Sequence, residues 1–229
     1  MDIPAVEAAS NLFPYFDWGA TLLWAASGAM LAARRGYDPI GVFGIALVSA
    51  AGGGLLRDGL FLQNGPPVVV QSPIYLGLIL AATLLVLLFG GFIKTLRWFD
   101  RIVITTDAIG LGTYAIVGMN MALSAHLSFF GVAFVGVVNA VGGSVLRDLL
   151  MGTHPPEMFK PGVPLASASL MGCVLFLILL YLDVDKTLAG VATVVAVFAF
   201  RMLALNFGFK TSALSAFRDD WHDPGAPRD

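Results

Sequence analysis

Apolar residues arrive along this chain in long runs separated by short polar breaks, and the run length is what a bilayer demands. A helix crossing a hydrocarbon core about 30 Å thick needs roughly 20 largely apolar residues. Seven segments qualify or nearly so, at about 16–34, 39–61, 73–93, 101–121, 127–151, 163–182 and 187–208. The breaks carry turn residues: Arg34-Arg35-Gly36-Tyr37-Asp38-Pro39, Gln63-Asn64-Gly65-Pro66-Pro67, Lys94 to Arg101, and His154-Pro155-Pro156-Glu157. The pattern predicts an all-α membrane protein of seven transmembrane helices, forming one domain over 1–229 with a polar tail from about 211.

One phrase is said twice. Residues 52–60 read GGGLLRDGL and residues 142–150 read GGSVLRDLL, so Gly52, Gly53, Leu56, Arg57, Asp58 and Leu60 recur ninety positions later. A Pro-Pro pair follows each copy, Gly41-Val42 answers Gly131-Val132, and the register reaches back to Asp17 and Asp107. Repeat one covers about 12–93 and repeat two about 101–182, three spans each. An odd number of spans makes the second copy enter the membrane from the opposite face, an inverted three-plus-three repeat with a seventh helix, about 187–208, left over. The small residues of that helix, Ala189, Gly190, Ala192, Ala196 and Ala199, suit close helix packing.

Composition agrees with a membrane class. The chain is 58% hydrophobic and 12% charged, with a mean hydropathy of +0.84, too apolar for a soluble domain of 229 residues. A net charge of −2 without basic or acidic blocks gives no footprint for nucleic acid. Asp2 and Glu7 stand where a signal peptide would carry basic residues, so the first apolar segment is expected to be a span. Arg34, Arg35, Lys94, Arg97, Arg101, Lys160, Arg201, Lys210, Arg218 and Arg228 fall on one side of a seven-span arrangement, with Lys186 alone in a loop on the other. Positive charge is retained on the cytoplasmic side, which predicts an outside N-terminus and a cytoplasmic C-terminus.

The candidate chemistry is the repeated phrase itself. An arginine and an aspartate at membrane depth are costly, and beside a glycine cluster in both halves they point to a site between the repeats. Gly52, Gly53 and Gly54, with Gly142, Gly143 and Ser144, are expected to break the second and fifth helices, leaving carbonyls that suit a cation. Asp58 and Asp148 would cap the second half-helices, and Arg57 and Arg147 would reach those carbonyls or an acid of the other repeat. Asp17 and Asp107 complete this charge network. The competing structural reading makes the glycines packing residues and the Arg-Asp pairs buried braces. No metal cluster is visible in His126, His154 and His222, Cys173 stands alone, and no nucleophile elbow or phosphate loop accompanies the serines and glycines. Nothing in the sequence supports an enzyme or a bound cofactor.

Seven spans, a three-plus-three repeat and the phrases Gly52-Gly53 to Asp58 and Gly142-Gly143 to Asp148 resemble the prokaryotic trimeric intracellular cation (TRIC) channels over roughly residues 12 to 210. The resemblance implies a homotrimer in the bacterial inner membrane. Each subunit would hold its own hourglass pore for potassium, sodium and other monovalent cations, constricted at the second and fifth helices. Ser144 replaces the third glycine of the first copy, and the lysine-containing motif of the animal channels is not evident. Related bacterial proteins with the same repeat suggest an alternative, a transporter of a small, glycine-like solute.

Overall fold

In the computed structural model, residues 13–63, 65–94, 99–160 and 165–207 are described. Among the described residues every regular element is helical, with eight α-helices: α1 Phe13–Arg34, α2 Pro39–Leu56, α3 Val68–Gln71, α4 Pro73–Lys94, α5 Phe99–Ser124, α6 Phe129–Leu150, α7 Leu165–Tyr181 and α8 Lys186–Phe207. The polar tail, the N-terminal acids Asp2 and Glu7, and Arg97, Lys210, Arg218 and Arg228 lie outside the described residues.

Local chemistry sets the ends of these helices. Asp38 caps α2 by accepting from the Gly41 amide at 2.7 Å, with Pro39 at the first helical position. Ninety positions on, Ser128 caps α6 by accepting from the Gly131 amide at 3.3 Å. Gly36 and Gly152, both at positive φ, turn the chain out of α1 and α6.

α2, α4, α6 and α8 are long and apolar enough to cross a membrane, and α7 is a shorter apolar helix. α1 and α5 are richer in polar residues, and they are sheathed by the others. α1 packs on α2, α4 and α5, while α5 packs on α6, α7, α8 and α1. Every residue from Gly110 to Asn120 of α5 is buried, whereas α4 turns Leu80, Leu84, Leu85, Leu88 and Phe89 outward. Outward leucine and phenylalanine beside inward Thr21, Thr83, Thr113 and Asn120 suit a chain solvated by lipid.

The expected helix breaks are not there. α2 runs unbroken through Gly52, Gly53 and Gly54, whose last two carbonyls both accept from the Arg57 amide. Only beyond them does the ladder widen, into a π-helix over Arg57–Leu62 that ends at Gln63 in left-handed conformation. α6 continues through Gly142, Gly143 and Ser144 to Leu150. Glycine inside a helix costs about 1 kcal/mol relative to alanine, which weakens a helix without interrupting it. The glycine carbonyls are therefore spent in the helices, and the glycines serve another purpose.

Candidate functional site

That purpose is the crossing of α2 and α6. A Cβ added to Gly52 would stand 3.0 Å from the Gly143 Cα, and one added to Gly142 would stand 3.2 Å from the Gly53 Cα. A Cβ on Gly53 would run into the Asn139 carbonyl, and one on Gly143 into the Ser49 carbonyl. Leu146 bears on Gly52 as Leu56 bears on Gly142. Shifting every partner by ninety positions and exchanging the two helices reproduces this set of contacts. The two copies thus meet about a local twofold relation at the glycines. Trp24 and Tyr114, also ninety apart, stack beside it with ring centroids 4.9 Å apart.

Each phrase then delivers its charged pair. Arg57 Nε donates to Asp58 Oδ1 at 2.6 Å and Arg57 Nη2 to Asp58 Oδ2 at 3.0 Å. Arg147 donates to Asp148 Oδ1 through Nε and Nη2, both at 3.0 Å. All four residues are buried, where an unpaired charge would be severely destabilising, so each arginine arrives with its own neutraliser. Each aspartate has a second task. Asp58 Oδ2 accepts from the Val68 amide opening α3, and Asp148 Oδ2 accepts from the Glu157 amide in the matching loop. They anchor the following segments and do not cap second half-helices. Arg57 crosses between repeats to Asn139 Oδ1 at 3.3 Å, a side-chain amide in place of the glycine carbonyls or the acid of the other repeat that were the two expected partners. Asn139 in turn donates to the Tyr114 carbonyl at 2.7 Å.

Asp17, Thr21, Gly54, Arg57, Asp58, Val68, Tyr75 and Tyr114 surround a cavity of about 30 Å³, room for roughly one water or small ion. Tyr75 donates to Asp17 Oδ2 at 2.5 Å, and Tyr114 donates to the Ala50 carbonyl at 2.8 Å. Asp58 and Val68 also line a second cavity of about 320 Å³, which continues past Pro66 and Gln71 to Ser124 and Ala125 at the end of α5. The two spaces share Asp58 and Val68 as a wall, and the smaller one reaches Gly54, next to the crossing glycines in α2.

The acids expected to join the network take different partners in the two halves. Asp17 lies in the first cavity, whereas Asp107 accepts from Arg201 Nη2 on α8 at 3.2 Å. Arg201 is buried in α8 and is not one of the loop charges that its distance from the helix centre suggests. Trp24, Ser49, Tyr75, Tyr114 and Asn139 also belong to the site; Trp24, whose place near a span end fits an interfacial aromatic belt, is instead buried against Tyr114, and the other four carry no charge to mark them in the sequence. The ninety-residue register pairs Trp24 with Tyr114 and Ser49 with Asn139, the signal that could have found four of the five. Among the described residues, no group of His, Cys, Asp and Glu is placed to hold a metal ion.

Three kinds of comparison bear on this arrangement. A family model described as "Glycine transporter" matches twice, over residues 14–90 and 104–181, one match on each copy of the repeat. A UPF0126 membrane protein of Deinococcus radiodurans is 34% identical over 69% of this chain and 72% of its own length, and the UPF0126 inner membrane protein YadS of Escherichia coli K12 is 28% identical over 72% and 88%. The TRIC trimeric intracellular cation channel orthologue from Rhodobacter sphaeroides superposes with a TM-score of 0.79 at 28% identity, covering 87% of this chain and all of that one.

Proposed function

The chain belongs to the UPF0126 membrane-protein family and itself carries the twice-matched "Glycine transporter" unit, and from that premise we propose that it is a monovalent cation channel. The observation that carries this reading is the pair of neutralised Arg-Asp units set about a glycine crossing, of which Arg57-Asp58 borders a cavity of ionic size that shares Asp58 and Val68 with a wider one. A cation needs oxygen ligands and a route on which fixed positive charge is cancelled. Asp17, Asp58 and the hydroxyl of Thr21 are such ligands, and each arginine is cancelled by its neighbour. The likeness to a TRIC channel over nearly the whole chain supports the same reading.

In this proposal the pathway runs within one subunit and is narrowest where α2 and α6 cross, by close approach and not by a helix break. Potassium is the main permeant ion, with sodium admitted, and three subunits assemble as in the Rhodobacter sphaeroides orthologue. The four residues of α3 span only about 6 Å, which leaves seven membrane-crossing helices. With three crossings per repeat, the local twofold relation at Gly53 and Gly143 is that of an inverted pair. The N-terminus is then outside and the C-terminus cytoplasmic, in a bacterial inner membrane, where YadS is also placed.

Recording single molecules in a planar bilayer under a potassium gradient tests this. Unitary current steps with a reversal potential near that of potassium are expected. The family description favours one rival, carriage of glycine. Saturable glycine uptake by proteoliposomes without unitary currents would replace the channel with that carrier.

A further inference from the structure

The two halves of the pathway differ in one charge, and α8 is the cause. Asp17 and Asp107 occupy the same register position, but Asp17 is held by the Tyr75 hydroxyl of α4 and Asp107 by the Arg201 guanidinium of α8. Carrying the ninety-residue offset into α7 matches buried Ile79, Ala82, Thr83 and Val86 with buried Ser169, Gly172, Cys173 and Phe176, and it puts Leu165 where α4 has Tyr75. Leucine has no hydroxyl to offer Asp107. The helix without a repeat counterpart offers an arginine instead, itself only 5% exposed, whose Nε and Nη1 have no hydrogen-bond partner among the described residues.

The charges follow directly. At the Asp17 end the buried and half-buried groups are Asp17, Asp58 and Arg57, with half-buried Lys186 opening α8 on the same side, a sum of zero. At the Asp107 end they are Asp107, Asp148, Arg147 and Arg201, with half-buried Lys160 in the loop beyond, a sum of +1, so the Asp17 end is the more negative by one charge. Further out at that end, Arg35 donates to the Met151 carbonyl and the Thr153 hydroxyl, while Glu157 is exposed. Resting on the channel reading above, we infer that Arg201 neutralises Asp107 so that the pathway is more negative by one charge at the Asp17 end, concentrating cations there and making conduction rectify. Within a low-dielectric wall a single uncompensated carboxylate raises local cation concentration, and one at each end would make the profile symmetric. Arg201 is in this sense a positioning residue that acts through Asp107.

The test is the ratio of single-channel currents at equal and opposite voltages in symmetric potassium chloride. Wild type is expected to depart from one by at least twofold. Arg201→Gln uncovers Asp107 and brings the ratio near one, and Asp107→Asn with Arg201→Gln removes both charges and restores the wild-type asymmetry. Arg201→Gln with Leu165→Tyr gives Asp107 the partner that Asp17 has. It should regain melting temperature over Arg201→Gln while the ratio stays near one. An unaltered ratio in Arg201→Gln, or the same ratio in Arg201→Gln and the double neutral variant, would overturn the inference. Absence of unitary current in wild type would sink the channel reading instead. Melting temperatures would then decide the pairing: each single neutralisation should lower it more than the two together, and additive losses would mean that Arg201 does not serve Asp107.

Discussion

Gly53 lies so close to the carbonyl of Asn139 that no side chain can be added between them, and ninety positions on Gly143 stands in the same way against the carbonyl of Ser49. Neither obstacle is the movable end of a side chain, so one methyl group must push the two helices apart. Gly53→Ala and Gly143→Ala are each expected to cost about 1–3 kcal/mol through overpacking and to depress flux. Gly44→Ala is the control. It sits in the same helix with nothing within 4 Å of the added Cβ, and it should stabilise by up to about 1 kcal/mol. Thermal melts and flux of the three variants check this, and equal effects of Gly44→Ala and Gly53→Ala would remove the crossing from the account.

The fold groups the loops into two sets. Arg35, after α1, donates to Met151 and Thr153 beyond α6, so those loops share one side of the molecule. With a Cys173→Ser background, cysteines at Tyr37 and Glu157 should react with an impermeant thiol reagent only from the cytoplasmic side. Cysteines at Val70 and Leu182, both more than half exposed, should react only from the other. Labelling of Tyr37 and Val70 positions from one side would refute the arrangement.

Tyr75 competes with any cation for the Asp17 carboxylate, since its hydroxyl occupies Oδ2. Tyr75→Phe keeps the ring and removes the competitor. Its hydrogen bond to a charged group contributes about 1.5–3 kcal/mol, which stability measurements should show lost. Conductance should saturate at a severalfold lower potassium concentration than in wild type. An unchanged saturation curve would take Asp17 out of the permeation path.

The spans were legible because hydrocarbon thickness sets a length that apolar runs must meet: 73–93 and 187–208 in the sequence are Pro73–Lys94 and Lys186–Phe207 in the structure. The repeat was legible because both copies keep Gly-Gly and Arg-Asp in one register. The role of the glycines was not. A glycine run that breaks a helix and one that admits a neighbouring backbone read alike until the neighbour is known, and Asn139 and Ser49 are more than eighty positions away from the glycines they meet. Arg201 was misread for a related reason. A positive charge a few residues from the end of an apolar run looks like a loop anchor, and only its contact with Asp107, on another helix, shows it to be buried.

Asp58 and Asp148 combine neutralisation with anchoring, and variants can separate the two. Asp58→Asn keeps an oxygen that can accept from the Val68 amide but strips the charge facing Arg57, whose guanidinium stays buried with Asn139 as its remaining partner. Removing one member of a buried pair costs about 3–5 kcal/mol, whereas removing both charges costs much less. Asp58→Asn should therefore be strongly destabilised, and Arg57→Gln with Asp58→Asn much less so. Conduction should follow the charge: the single variant leaves a net positive increment beside the cavity and should lower cation conductance and shift the reversal potential in asymmetric potassium chloride towards that of chloride. The double variant returns the local charge to its wild-type sum and should recover cation preference. Asp148→Asn and its double with Arg147→Gln should repeat the pattern at the other end, because there too a buried arginine is neutralised by the carboxylate of the next residue. Cation preference intact in both single variants would leave these pairs as braces that hold α3 and the Glu157 loop, with no part in selecting the ion.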